Sequence, residues 1–275
     1  MGLAYFIWQL TPDIISLGAL NIRWYSVFFM GAFMVGYYIG IVIYKIENKP
    51  QPQLDILVLY LFFSMLGGAR LGHCLFYDPV FYFHNPIEIL YIWKGGLASH
   101  GALIMMPLAI AHFGKSRPTQ SFYWVIDRLV FIIAMVAFFI RLGNFFNSEA
   151  VGIPSDLPWA VQFIHYDGQP RHPSQLYEAF FYLAVFVVMG LYYIKRNYWL
   201  RKGENLGMFL ILIFGFRFFV EYVKEADEFY DFILFSLNKG QVLSIPAVLI
   251  GLWLVFRARS QSKTGPSEKI TTSES

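Results

Sequence analysis

Six of the 21 lysines and arginines in this 275-residue chain stand within or at the ends of long apolar runs: Arg23, Arg70, Lys94, Arg128, Arg141 and Arg217. A charge in hydrocarbon costs at least a few kcal/mol, so it marks a functional site by default. The plainer reading is that each is an interfacial anchor or half of a structural ion pair. Spacing sharpens the choice. Arg70, His73 and Tyr77 share one helical face, as do Arg141 with Asn144, Arg217 with Glu221, and Ser174 with Glu178. Two arginines from separate runs suit a phosphate, because each guanidinium fork can bind two of its oxygens. Glu149, Glu178 and Glu221 would orient those arginines or bond to hydroxyls of a substrate. His100 precedes Gly101. It can be read as a general base working near neutral pH, or equally as a hydrogen-bonded histidine without a chemical role.

Other chemistries find no footing. H-E-x-x-H, G-x-S-x-G and phosphate-loop patterns are absent, and Cys74 is the single cysteine. It has no cysteine partner for a disulfide or a metal site. The remaining histidines show no ligand spacing, so no metal is expected.

The elements that carry these residues must lie in a membrane. The chain is 57% hydrophobic and only 14% charged, against about 25% charged in soluble domains. With a net charge of +3 it does not read as a nucleic-acid binder either. The expected fold class is all-α, a polytopic membrane protein of about seven helices. The expected spans are residues 22–44, 54–76, 87–113, 122–146, 175–194, 206–222 and 243–256. The third carries Gly95, Gly96 and Pro107, so it is expected to be broken or re-entrant. Residues 1–259 are expected to form one transmembrane catalytic domain, and 260–275 a polar, disordered cytoplasmic tail.

With seven spans, one side receives Lys45, Lys49, Lys115, Arg117, Lys195, Arg196, Arg201, Lys202, Arg257, Arg259, Lys263 and Lys269. The other receives only Arg171, Lys224 and Lys239. The positive-inside rule then places the N-terminus outside and the C-terminus in the cytoplasm. In that orientation Arg23, Tyr25, Arg70, His73, Lys94, His100, Arg141, Asn144, Glu178, Arg217, Glu221, Gln241 and Ser244 all fall in the outer half of the bilayer. Asp127–Arg128 alone sits on the inner side, where snorkelling accounts for it. In the outer leaflet the abundant phosphates are phospholipid headgroups.

At this point the motifs become specific. Arg141-Leu-Gly-Asn144-Phe-Phe-Asn147-Ser-Glu149-Ala-Val-Gly152 resembles the signature of the prolipoprotein diacylglyceryl transferase family. Further segments resemble that family in the same order: Ile22-Arg-Trp-Tyr25, Ala69-Arg-Leu-Gly72, Gly95-Gly-Leu-Ala-Ser-His100-Gly101, Arg171-His-Pro-Ser-Gln-Leu-Tyr-Glu178, Phe216-Arg217-Phe-Phe-Val-Glu221 and Gly240-Gln241-Val-Leu-Ser244. They run from about residue 12 to residue 256.

The resemblance implies a multi-pass enzyme of the bacterial inner membrane that needs no metal or organic cofactor. It would move the diacylglyceryl group of phosphatidylglycerol onto the lipobox cysteine of a prolipoprotein, presented behind its signal peptide. A thioether would form and glycerol 1-phosphate would leave. Arg141 would bind the headgroup, Arg217 would be essential and His100 would be the base. Tyr25, Asn144, Glu149, Gly152 and Glu221 would be further functional positions, Glu221 among the catalytic ones. Departures lie at Ile140, His73, Ala102-Leu103-Ile104, Ile153 and Lys224-Glu225-Ala226-Asp227, beside the key residues. The alternative is a transporter or lipid scramblase using the same polar cavity. Such proteins usually show repeated halves and midplane sites, and no internal repeat is visible here.

Overall fold

In hydrocarbon, every backbone N–H and C=O must find its partner inside the segment, so long apolar runs fold as helices. The computed structural model describes residues 5–17, 20–225, 229–232 and 235–260. Residues 261–275 of the expected tail lie outside the described residues, as do Ala226, Asp227 and the side chain of Lys94. The helices are α1 (Trp24–Ile46), α2 (Gln51–Phe76), α3 (Pro79–His84), α4 (Ser99–Lys115), α5 (Phe122–Phe146), α6 (Ser174–Lys195), α7 (Glu204–Val220) and α8 (Lys239–Ser260). All except α3 and α4 are long and apolar enough to cross a bilayer, which makes six such helices among the described residues.

The third expected span is where the structure departs from a count of seven. Pro86–Leu90 and Ile92–Lys94 are short 3-10 turns, and only the 17 residues of α4 are regular helix. The break is local chemistry. Gly95 and Gly96 take φ of 85° and 70°, which a side chain would resist. The last helix, α8, is longer than expected at 22 residues.

The structure also contains short strands that an all-helical reading leaves out: β1 (Phe6–Trp8), β2 (Asp13–Leu17), β3 (Leu20–Arg23), β4 (Val161–Phe163), β5 (Pro170–Arg171), β6 (Phe229–Phe232) and β7 (Phe235–Asn238). They occupy the connections, in runs too short for an alternating pattern to stand out.

The chain divides into two compact units, one made of residues up to Ile39 together with those from Asp127 on, the other Gly40–Ile126. In the first unit α6 meets α7 through the stacked rings of Phe181 and Phe216, 3.9 Å apart. α7 meets α8 where Gly207 and Gly251 face each other; a Cβ on either would stand 2.8 Å from the other's carbonyl oxygen. Beyond the helix ends, β4 pairs parallel with β1 and antiparallel with β5. Phe145, Val151, Val161 and Phe163 form a small buried core there, packed by Trp8, Phe146 and Leu176. That core fixes the chain leaving α5. At the opposite end of α5, the buried Asp127 carboxylate accepts the backbone N–H groups of Gly203 (2.7 Å) and Leu206 (3.0 Å). It caps the start of α7, satisfying donors that a helix leaves open. This is a more specific role than the expected interfacial snorkelling of Asp127–Arg128.

In the second unit α2 and α4 cross at glycines. A Cβ on Gly72 would lie 2.7 Å from the Gly101 Cα, and one on Gly101 would overlap the Gly68 carbonyl. Tyr44 donates to Gln120 Oε1 (2.8 Å) and Trp124 Nε1 to Glu47 Oε2 (2.8 Å), which ties the helix ends of this unit together.

Candidate functional site

Arg141 and Asn144 ride on the last turns of α5, and the chain beyond folds back over them. Glu149 N–H donates to Asn144 O (2.9 Å) and Asn147 N–H to Gly143 O (3.0 Å). The Glu149 carboxylate accepts from Asn144 Nδ2 (3.4 Å) and Asn147 Nδ2 (3.2 Å). Asn147 Oδ1 in turn accepts the backbone N–H of Tyr25 (3.3 Å). The start of α6 holds this turn from the other side. Gln175 Nε2 donates to Glu149 O (2.7 Å) and Ser174 Oγ to Ala150 O (3.0 Å). A polar strand of chain at a helix end is thereby kept in one conformation, as a binding site requires.

The arginines are oriented by buried carboxylates. Arg141 Nε pairs with Glu178 Oε2 at 3.1 Å, and its Nη1 donates to Asn144 Oδ1 at 3.3 Å. Glu178 is fully buried, and its Oε1 accepts the Tyr182 hydroxyl at 3.2 Å. Arg217 Nε faces Glu221 Oε1 at 3.4 Å, one helical turn on. Lys224 completes the set, with Nζ 3.3 Å from Glu221 Oε1 and 3.8 Å from Glu178 Oε1. An alternating chain of charge results: Arg141, Glu178, Lys224, Glu221, Arg217. The carboxylate side chains are 0% and 8% exposed, those of the arginines 20% and 36%. The anions are thus sealed in, while part of each guanidinium stays open to a ligand.

Glu221 has its place because position 240 carries no side chain; a Cβ on Gly240 would collide with the Glu221 carboxylate. Asn238 and Gln241 cap α8 reciprocally (3.0 and 2.9 Å), and Asn238 Nδ2 also donates to Glu221 O (3.2 Å). Sequence spacing identifies the Arg217–Glu221 pair. It misses Lys224 and Tyr182, which reach the site from a loop and from one turn further along α6.

Gly152 lies where two loops meet. Its N–H donates to His172 O (3.0 Å), it bridges Lys224, and an added Cβ would stand 2.6 Å from His172 O and Val223 O. Arg171 Nη1 donates to its carbonyl (2.9 Å). The same guanidinium pairs with Asp167 (2.6 Å) and Glu225 (3.3 Å). The hydrogen bond from Arg171 holds the Asp167 carboxyl below its ordinary range, and the bond to Glu225 raises the Tyr166 hydroxyl. Burial lowers His172. These shifts belong to a structural clasp.

In the second unit, Arg70 is 3% exposed and spends its donors on backbone. It donates to the carbonyls of Ile89 (3.0 Å), Glu88 (2.6 Å), Gly95 (2.6 Å) and Gly96 (3.1 Å). It satisfies the carbonyls of the broken stretch before α4, the condition for irregular backbone at membrane depth. Arg70, expected only to share a face with His73 and Tyr77 in the outer half of the bilayer, thus has a structural role here. His73 stacks on Tyr77 at 5.3 Å. His100 is exposed in the first turn of α4, its ring against Phe76 (5.4 Å) and Tyr77 (5.8 Å). Among the described residues, no group of three His, Cys, Asp or Glu could hold a metal ion.

Comparison with known proteins agrees with the motif reading. The family model for prolipoprotein diacylglyceryl transferase matches residues 12–257. A protein of Chloroherpeton thalassium is 42% identical over 260 residues, covering 94% of this chain and 97% of its own length. One of Tolumonas auensis is 43% identical over 248 residues (90% and 95%), and one of Porphyromonas gingivalis 39% over 269 residues (93% and 95%). All three are named phosphatidylglycerol–prolipoprotein diacylglyceryl transferase.

Proposed function

The chain belongs to the prolipoprotein diacylglyceryl transferase family, and from that premise we propose the chemistry its polar constellation performs. It is a multi-pass protein of the bacterial inner membrane, N-terminus outside, and it catalyses the first step of lipoprotein maturation. The donor is phosphatidylglycerol. The acceptor is the thiol of the lipobox cysteine, presented by the signal peptide of a prolipoprotein. The sulfur lone pair forms a bond to the terminal carbon of the diacylglyceryl group. The carbon–oxygen bond to phosphate breaks, and its electron pair leaves with glycerol 1-phosphate.

Two demands follow. The thiol must lose its proton, since the thiolate is the nucleophile, and His100 is the base assigned to it. Negative charge grows on the phosphate as the bond breaks, and fixed cations lower that barrier. Arg141 and Arg217 supply them. The observation that carries this reading is their common support: each has its Nε against a largely buried carboxylate, and both carboxylates meet at Lys224. With Nε drawn to a carboxylate by charge, the Nη edges are aimed rather than free to wander, which suits a phosphate held by two forks. Asn144, Glu149 and Tyr25 form the adjoining wall for the glycerol hydroxyls, and Gly152 and Glu221 keep the wall and Arg217 in place.

The test is a vesicle assay with purified protein, a lipobox peptide and phosphatidylglycerol. The peptide is expected to gain the mass of one diacylglyceryl group, with glycerol 1-phosphate released in equal amount. Phosphatidylethanolamine should not replace the donor. An unmodified peptide in the presence of both substrates would contradict the reading.

A further inference from the structure

Two buried carboxylates opposite two arginines would leave a site with no net charge and little reason to take an anion. The structure contains a third cation. Lys224 follows the end of α7, and its side chain is only 12% exposed. Its backbone bridges Gly152, and the neighbouring Val223 O accepts the N–H of Ile153 (3.0 Å). This crossing of two loops delivers Nζ between the carboxylates, 3.3 Å from Glu221 and 3.8 Å from Glu178. Each glutamate is thus shared by two cations. Arg141, Arg217 and Lys224 against Glu178 and Glu221 leave one positive charge, and a phosphodiester headgroup carries one negative charge. Glu149 stands one hydrogen bond further along, its carboxylate taken by the amides of Asn144 and Asn147.

We infer that Lys224 is a positioning residue that sets the charge of the phosphate site: it takes up the Glu178 and Glu221 carboxylates so that the arginines keep positive charge for an anionic headgroup. The inference deepens the function proposed above and rests on it. Lys224 acts through the carboxylates, and its main effect falls on binding of the anionic lipid. The bond-making groups are elsewhere, so turnover at saturating lipid depends on it less.

The experiment uses the full-length protein in phosphatidylcholine vesicles with a rising mole fraction of phosphatidylglycerol, and follows the initial rate of lipobox-peptide modification. For Lys224→Met the half-saturating mole fraction is expected to rise about tenfold or more, since the buried charge network loses one partner, while kcat changes less. Added glycerol 1-phosphate should inhibit this variant less, by a similar factor. Lys224→Arg, which keeps the charge, should restore most of the apparent affinity. Melting temperatures are taken on the same samples. If Lys224→Met melts below the assay temperature, Lys224→Gln replaces it, keeping a hydrogen-bond donor without charge, with the same shift expected. Unchanged half-saturation, a loss confined to kcat, or an arginine variant as impaired as the neutral ones would overturn the role of Lys224 while leaving the transferase reading intact. A wild-type protein that fails to modify the peptide would remove both.

Discussion

At the scale of single residues, the proposed chemistry rests on two arginines and the atoms that hold them. Arg141 gives its Nε to Glu178 and one Nη to Asn144. Lysine at this position offers one point charge and cannot keep both the ion pair and the hydrogen bond while facing a phosphate. Arg141→Lys is therefore expected to lower kcat/KM for phosphatidylglycerol about a hundredfold or more, as loss of a fixed transition-state donor does, with the melting temperature little changed. Activity close to wild type would show that the fork is not used. The sequence made the arginines, Asn144 and the three glutamates visible, because charge in an apolar run is rare. It left open which carboxylate serves which arginine. Arg217 and Glu221 lie one turn apart, so that pair could be read from spacing. Glu178 reaches Arg141 from another helix, which only folding reveals. Lys224 was hidden for a different reason: in sequence it is an ordinary loop lysine after a span. Arg70 shows the converse, a buried arginine in the right layer whose donors go to four backbone carbonyls.

At the scale of elements, the broken third span is the clearest case of local chemistry overriding a hydropathy count. Two glycines at positive φ follow two 3-10 turns, and Arg70 ties off the exposed carbonyls. The helix that does form, α4, approaches α2 so closely that Gly101 has no room for a methyl group beside the Gly68 carbonyl. Gly101→Ala is expected to push the helices apart and destabilise the protein by about 1–3 kcal/mol, the usual cost of overpacking. It should also reduce transfer, since His100 is the neighbouring residue. A melting temperature and activity equal to wild type would disprove that tight crossing. Span positions were readable because twenty apolar residues have few alternatives. The strands of the connections and the capping of α7 by Asp127 were not, because both depend on partners distant in the chain.

At the scale of the whole molecule, the scarcity of charge places the chain in a membrane, and the sidedness of its basic loops gives the orientation proposed here. Among the described residues six helices are long and apolar enough to cross, and the matched family and relatives extend over nearly the entire chain. In the chemistry proposed above, the diacylglyceryl group is released from a lipid phosphate held by Arg141 and Arg217. The most direct measurement is the mass of a lipobox peptide after incubation in phosphatidylglycerol vesicles with wild-type protein, Arg141→Ala and Arg217→Ala, each shown to be folded. A diacylglyceryl increment is expected with the wild type and none with either variant. An increment of equal size with either variant would contradict that chemistry.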